Sequence, residues 1–128
     1  RGVIPRELRA GIGDRIFGCD TCLEVCPWNR FARDGRGVLL RARDELPALR
    51  LADILAMTQA DFSRVFRRTA IKRARHAGLL RNACVAAGNT GDRACLPALE
   101  ILAEAGEPLV RVHAVWALSR LGARACLE

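Results

Sequence analysis

Three cysteines stand close together in Gly18-Cys19-Asp20-Thr21-Cys22-Leu23-Glu24-Val25-Cys26-Pro27, a C-x2-C-x3-C-P arrangement. Thiolates at C-x2-C spacing can grip one metal centre from a single turn of chain, so metal ligation is the chemistry this pattern suggests first. Zinc competes with an iron–sulfur centre for such a pair. The second half of a zinc site, another C-x2-C or an H-x3-H, is missing, and His76 and His113 stand apart from each other. A plain alternative treats the three as small apolar residues that fall together by chance.

The ending C-x3-C-P favours iron and sulfur. Bacterial ferredoxin-type runs read C-x2-C-x2-C-x3-C-P, and the Cys before Pro ligates the other of two clusters. Here that ending is kept with one C-x2-C step ahead of it. A 4Fe-4S cluster needs four protein ligands and a pair needs eight, so Cys19, Cys22 and Cys26 are a partial set. Cys84, Cys95 and Cys126 lie among Ala and Leu and read as structural passengers. The missing ligands are expected from an upstream domain of the same polypeptide.

Elements must hold this box, and their pattern is helical. The chain has 128 residues, of which 51% are hydrophobic, 27% charged and 5% aromatic, a soluble globular profile that excludes a disordered tail. No apolar run reaches the ~20 residues of a spanning helix, so no membrane is expected. Arg1-Gly2-Val3-Ile4-Pro5 has neither an initiator Met nor an apolar signal core, which suggests a fragment. Ala32–Gly37 reads as a loop and a module boundary. A short helix is expected at 51–57. Thr58 and Asp61 suit a cap before Phe62–Arg67, and a helix from Ile71 to Ala87 would stop at Gly88-Asn89-Thr90-Gly91. Two more helices are expected at 93–105 and 108–121, with Pro97 and Pro108 in their first turns. A shift of 30 superposes Leu79–Ala87 on Leu109–Ala117, as in a short HEAT-like stack; a plain bundle is the alternative. Trp116 reads as core, and His76 and His113 as ordinary surface or core residues.

The formal net charge is +7, and 20 of the 21 basic residues are Arg. Between Asp61 and Asp92 there are seven basic residues and no acid: Arg64, Arg67, Arg68, Lys72, Arg73, Arg75 and Arg81. Such a run repels itself unless solvated or matched by a polyanion, and forked guanidinium groups suit phosphate. Arg111 would extend the surface.

Ile12-Gly13-Asp14-Arg15-Ile16-Phe17-Gly18-Cys19-Asp20-Thr21-Cys22, with Cys26-Pro27-Trp28-Asn29-Arg30-Phe31-Ala32, resembles the second cluster motif of epoxyqueuosine reductases. Phe62–Phe66, Lys72-Arg73, Gly78-Leu79-Leu80-Arg81-Asn82, Gly88-Asn89, Gly91-Asp92 and Val110–Leu118 look like the C-terminal helical repeats of that family. The resemblance covers nearly the whole chain, and box and repeat together are specific. It implies a mainly α chain: a partial ferredoxin-like iron–sulfur module at 1–37, followed by a short HEAT-like, tRNA-binding helical domain at 38–128. It further implies two 4Fe-4S clusters, cobalamin, a tRNA substrate and reduction of epoxyqueuosine to queuosine at the wobble position. Cys19 and Cys22 would bind the second cluster and Cys26 the first, with Asp20 and Thr21 near the corrin. Arg67, Arg68, Lys72, Arg73, Arg75, Arg81 and Arg111 would contact tRNA. No catalytic residue of the family falls in this stretch, so catalysis would need the rest of the polypeptide. An electron donor, a monomeric state and a cytoplasmic setting are expected. The rival reading is an iron–sulfur electron-transfer subunit whose helices dock a protein.

Overall fold

A computed structural model describes residues 2–31 and 49–125. The loop and boundary expected at Ala32–Gly37, together with Cys126, lie outside the described residues. The described part is mainly helical, without a strand. None of its helices is long and apolar enough to cross a membrane.

Residues 2–31 form an arm carrying α1 (Arg6–Ile12), the one-turn α2 (Thr21–Glu24) and a 3-10 turn (Pro27–Phe31). The helical body follows with α3 (Leu51–Leu55), α4 (Gln59–Val65), a 3-10 turn (Ala70–Ala74), α5 (His76–Thr90), a 3-10 turn (Arg93–Cys95), α6 (Leu96–Ala105) and α7 (Pro108–Ala125). The cap expected at Thr58 is present. Its hydroxyl accepts the Asp61 N–H at 3.1 Å and the Asp61 carboxylate accepts the Thr58 N–H at 3.3 Å, closing a reciprocal box. The Thr58 hydroxyl, which also lies 2.6 Å from the Asp61 carboxylate and donates to it, holds that carboxyl below the usual carboxylate range, with the Thr58 N–H and Arg64 assisting.

The single helix expected over 71–87 is two pieces. Arg75 interrupts it with φ +62° and ψ 162°, a conformation that L-residues rarely adopt, and α5 starts afresh at His76. At the other end the helix runs through Gly88, Asn89 and Thr90 and stops at Gly91, whose left-handed backbone lets its N–H reach Ala87 O at 3.1 Å. Gly88 serves packing instead of stopping the helix. A Cβ there would lie 2.6 Å from Trp116 Cζ3 and 3.1 Å from Ala117 Cα, so glycine permits the close approach of α5 and α7.

The core follows the internal repeat. Leu80, Ala83, Cys84 and Ala87 of α5 are buried, as are Val110, His113, Ala114 and Ala117, which lie 30 residues later on α7. Leu55, Cys95, Leu99 and Leu121 complete this cluster. A second cluster joins Met57, Phe62, Phe66 and Leu79, with Ile16 of the arm against it. Trp116 is half-buried, with the Arg9 guanidinium 5.4 Å from its ring centre.

Candidate functional site: a cysteine box on a stapled arm

The arm is held to the body by side chains that bind its backbone. His113 Nε2 accepts the Ile4 N–H at 3.1 Å, and Arg81 Nη1 donates to Gly2 O at 2.8 Å. Asn82 Nδ2 donates to Ile16 O at 2.7 Å, while Asn89 Nδ2 lies 2.8 Å from both Arg9 O and Gly13 O. Arg9, itself buried, donates its Nε to Ile4 O at 2.9 Å. Backbone polar groups that leave solvent need such partners, and helices α5 and α7 supply them. The sequence reading assigned no positioning role to His113, Asn82, Asn89 or Arg9. A signal existed in Leu80-Arg81-Asn82 and Gly88-Asn89, where polar residues interrupt an apolar helix.

This staple positions the cysteine box. Gly13 and Gly18 take positive φ, as does Asp20 at φ +50°, so the chain bends repeatedly before α2. Asp20 O accepts the N–H groups of Leu23 and Glu24 at 2.7 and 3.0 Å, forming the turn that carries Cys22. Cys26 follows, its N–H bonded to Leu23 O at 3.2 Å, and its own carbonyl starts the next turn by accepting the Asn29 N–H at 3.0 Å. Asn29 Nδ2 braces the two turns by donating to Leu23 O at 3.1 Å.

Cys19 and Cys22 are exposed and Cys26 is half-buried. Among the described residues, no three His, Cys, Asp or Glu side chains converge as a metal site. The exposed pair nevertheless fits part of a thiolate ligand set. The Cys19 thiol lies below the usual thiol range, chiefly because the neighbouring Thr21 N–H and then its hydroxyl, which donates to Cys19 O at 3.3 Å, favour the ionised form, with the Arg15 charge assisting. Thiolate is the form that binds metal. By contrast, burial pushes Cys84 up to about 12, with Cys95 adding, and Cys95 up to about 11, with Asp92 adding. Around the box Leu23, Val25, Trp28 and Phe31 are 55 to 76% exposed, an apolar surface next to the thiols.

The basic residues divide into groups. Arg73, Arg75 and Arg81 line one cavity of about 340 Å³, together with Glu107 and Leu109. Arg67, Arg68, Lys72 and Arg111 are exposed and stand outside its lining. Arg64 pairs with Asp61 at 3.3 Å. Arg81 is half-buried and committed to Gly2 and Asn82. His76 is half-buried, with Nε2 2.7 Å from Met57 O.

No family model matches the chain. It is similar to the epoxyqueuosine reductase of Xanthomonas campestris, 41% identical over 122 residues that span 94% of this chain and 34% of that protein. It is likewise similar to that of Pseudomonas aeruginosa, 42% identical over 125 residues spanning 95% of this chain and 34% of the relative. The chain thus spans about a third of the length of the curated relatives it matches. Among solved structures it is similar to a crystal structure of epoxyqueuosine reductase with an epoxyqueuosine-modified tRNA-Tyr stem loop, with a TM-score of 0.84 and 30% identity over 94% of this chain and 32% of that one. The structure of the Streptococcus thermophilus epoxyqueuosine reductase gives a TM-score of 0.81 and 31% identity, covering 94% of this chain and 32% of that one.

Proposed function

We propose that this chain, which is similar along nearly its whole length to about a third of epoxyqueuosine reductases, forms the C-terminal portion of such an enzyme. The activity is the cobalamin- and 4Fe-4S-dependent reduction of epoxyqueuosine to queuosine at the wobble position of tRNA. The observation that carries this reading is the exposed Cys19/Cys22 pair, held on a stapled arm within a chain similar to these reductases along nearly its whole length.

In this reading residues 1–37 are a partial ferredoxin-like module, Cys19 and Cys22 hold the second 4Fe-4S cluster, and Cys26 holds the first. The clusters, when bound, supply single electrons, and the cobalamin carries the demanding bond chemistry. This chain's residues act by placement. Bends at Gly18 and Asp20 present the two thiolates outward, and the backbone of Asp20 and Thr21 would help to hold the corrin. The helices of residues 38–128, taken as HEAT-like, present Arg67, Arg68, Lys72, Arg73, Arg75, Arg81 and Arg111 to tRNA phosphates. The similarity to a structure holding a tRNA stem loop supports this assignment. Catalysis resides in the upstream domain of the polypeptide, an electron donor feeds the clusters, and the protein acts as a cytoplasmic monomer.

The experiment reconstitutes the full-length protein with iron and sulfide and substitutes Cys26→Ser. Reduced iron content and altered turnover support the ligand assignment, and no change in either overturns it. Neutralising Arg67, Lys72 and Arg73 together is expected to weaken tRNA binding and flatten its salt dependence by roughly two units. Unaltered tRNA binding favours the rival reading, an electron-transfer subunit whose helices dock a protein. Zinc without iron in an anaerobic preparation favours a scaffold.

A further inference from the structure

A cavity of about 630 Å³ opens beside Cys19. Its wall includes Ile12, Phe17, Thr21 and two cations, Arg15 and Arg81, and it contains no acidic residue. Both guanidinium groups are held in place. Arg15 Nη1 donates to Ile12 O at 3.2 Å. Arg81 donates to Gly2 O at 2.8 Å and, from Nε and Nη2, to Asn82 Oδ1 at 3.0 and 2.9 Å. An arginine in such a setting keeps its charge at every working pH, so this wall is permanently positive. At the Cys19 thiol the Arg15 charge acts more strongly than the opposing charge of Asp20.

A cube held by thiolates gains one negative charge on taking up an electron, and its potential follows the net charge and hydrogen bonding around it. Fixed cations stabilise the reduced form more than the oxidised form. With Cys19 and Cys22 read as cluster ligands, on which this rests, we infer that Arg15 and Arg81 are positioning charges that raise the reduction potential of the cluster held there. They divide the task by exposure. Arg15 is exposed and acts through a medium that salt screens; Arg81 is half-buried and is screened less.

The test is an EPR-monitored redox titration of the full-length, reconstituted protein, with dithionite as the one-electron donor. Arg15→Gln is expected to lower the reduced-to-oxidised ratio at a fixed potential by roughly tenfold, equal to about 59 mV for one electron. Arg15→Lys restores most of the loss. Raising the salt shrinks the difference between Arg15→Gln and the unsubstituted protein, whereas the shift in Arg81→Gln persists. Full iron content with an unchanged midpoint in Arg15→Gln overturns the inference and leaves the ligand assignment standing. A midpoint moved as far by Lys as by Gln overturns it too, because the charge would not be the cause. A Cys19→Ser protein that keeps its full iron content and EPR signal overturns the ligand assignment itself, and the inference with it.

Discussion

His113 Nε2 accepts the Ile4 N–H at 3.1 Å while its Nδ1 donates to Leu109 O at 2.7 Å, so the ring joins the arm to α7 across 109 residues of sequence. That pair of bonds requires the neutral imidazole. Burial holds the His113 pKa below its ordinary value of 6.5; the bond to Leu109 opposes this, and the charges of Arg9 and Arg81 reinforce it.

Stability is therefore expected to depend on pH in one direction. A histidine kept neutral when folded binds fewer protons than in the unfolded chain. Its contribution is complete above pH 6.5 and is lost as the pH falls below 6.5 toward the depressed folded value. Urea titrations across this range check it. In His113→Leu that pH dependence flattens, and stability drops by about 1 to 3 kcal/mol because the Ile4 N–H loses its partner.

Asn89 tests the staple from α5. Its amide faces two arm carbonyls, at Arg9 and Gly13, both at 2.8 Å. Asn89→Ala leaves them without that donor, at about 1 to 3 kcal/mol. Asn89→Asp is expected to cost more, since an ionised carboxylate accepts but does not donate. Limited proteolysis should show earlier cleavage in the arm of the Asp variant, and equal behaviour of the two variants would contradict the assigned geometry.

The cysteines should separate by reactivity. Iodoacetamide at about pH 8 is expected to modify Cys19 and Cys22 in the metal-free chain, with Cys19 first because its thiol is shifted toward thiolate. Cys84 and Cys95, fully buried and pushed up to about 12 and about 11, stay unmodified until the protein unfolds. Mass spectrometry of peptides reads the order directly.

Gly88→Ala is expected to destabilise by about 1 to 3 kcal/mol, because the added methyl meets Trp116 and Ala117. Pairing it with Trp116→Phe removes the ring atom in closest conflict. The double variant should therefore lose less than the sum of the two single losses in a denaturation cycle.

What was legible beforehand was local or periodic. Thr58 and Asp61 lie three apart and cap α4 by themselves, Pro108 begins α7, and the 30-residue shift pairs Leu80, Ala83, Cys84 and Ala87 with residues buried alike, while buried Val85 falls on exposed Val115. Gly88 misled because a glycine before Asn-Thr-Gly looks like a stop; its role depends on Trp116, 28 positions away and invisible to a local window. The break at Arg75 likewise left no mark among residues with good helical propensity. The arm's attachment was hidden for a related reason. Its bonds join residues 66 to 109 positions apart, and neither partner is unusual in its own neighbourhood. The cysteine spacing, in contrast, showed in a ten-residue window, and the structure adds which of its thiols face outward.

Every one of those long-distance ties from α5 and α7 ends on a main-chain atom of the arm. These ties do not read the side chains they hold, although Arg9, buried over Trp116, Ile16, packed on the second cluster, and Gly13, at positive φ, have other reasons to stay as they are. Mutation can redecorate the outer face of this strap, or tune the surroundings of the thiols, without loosening the buckle that fastens it.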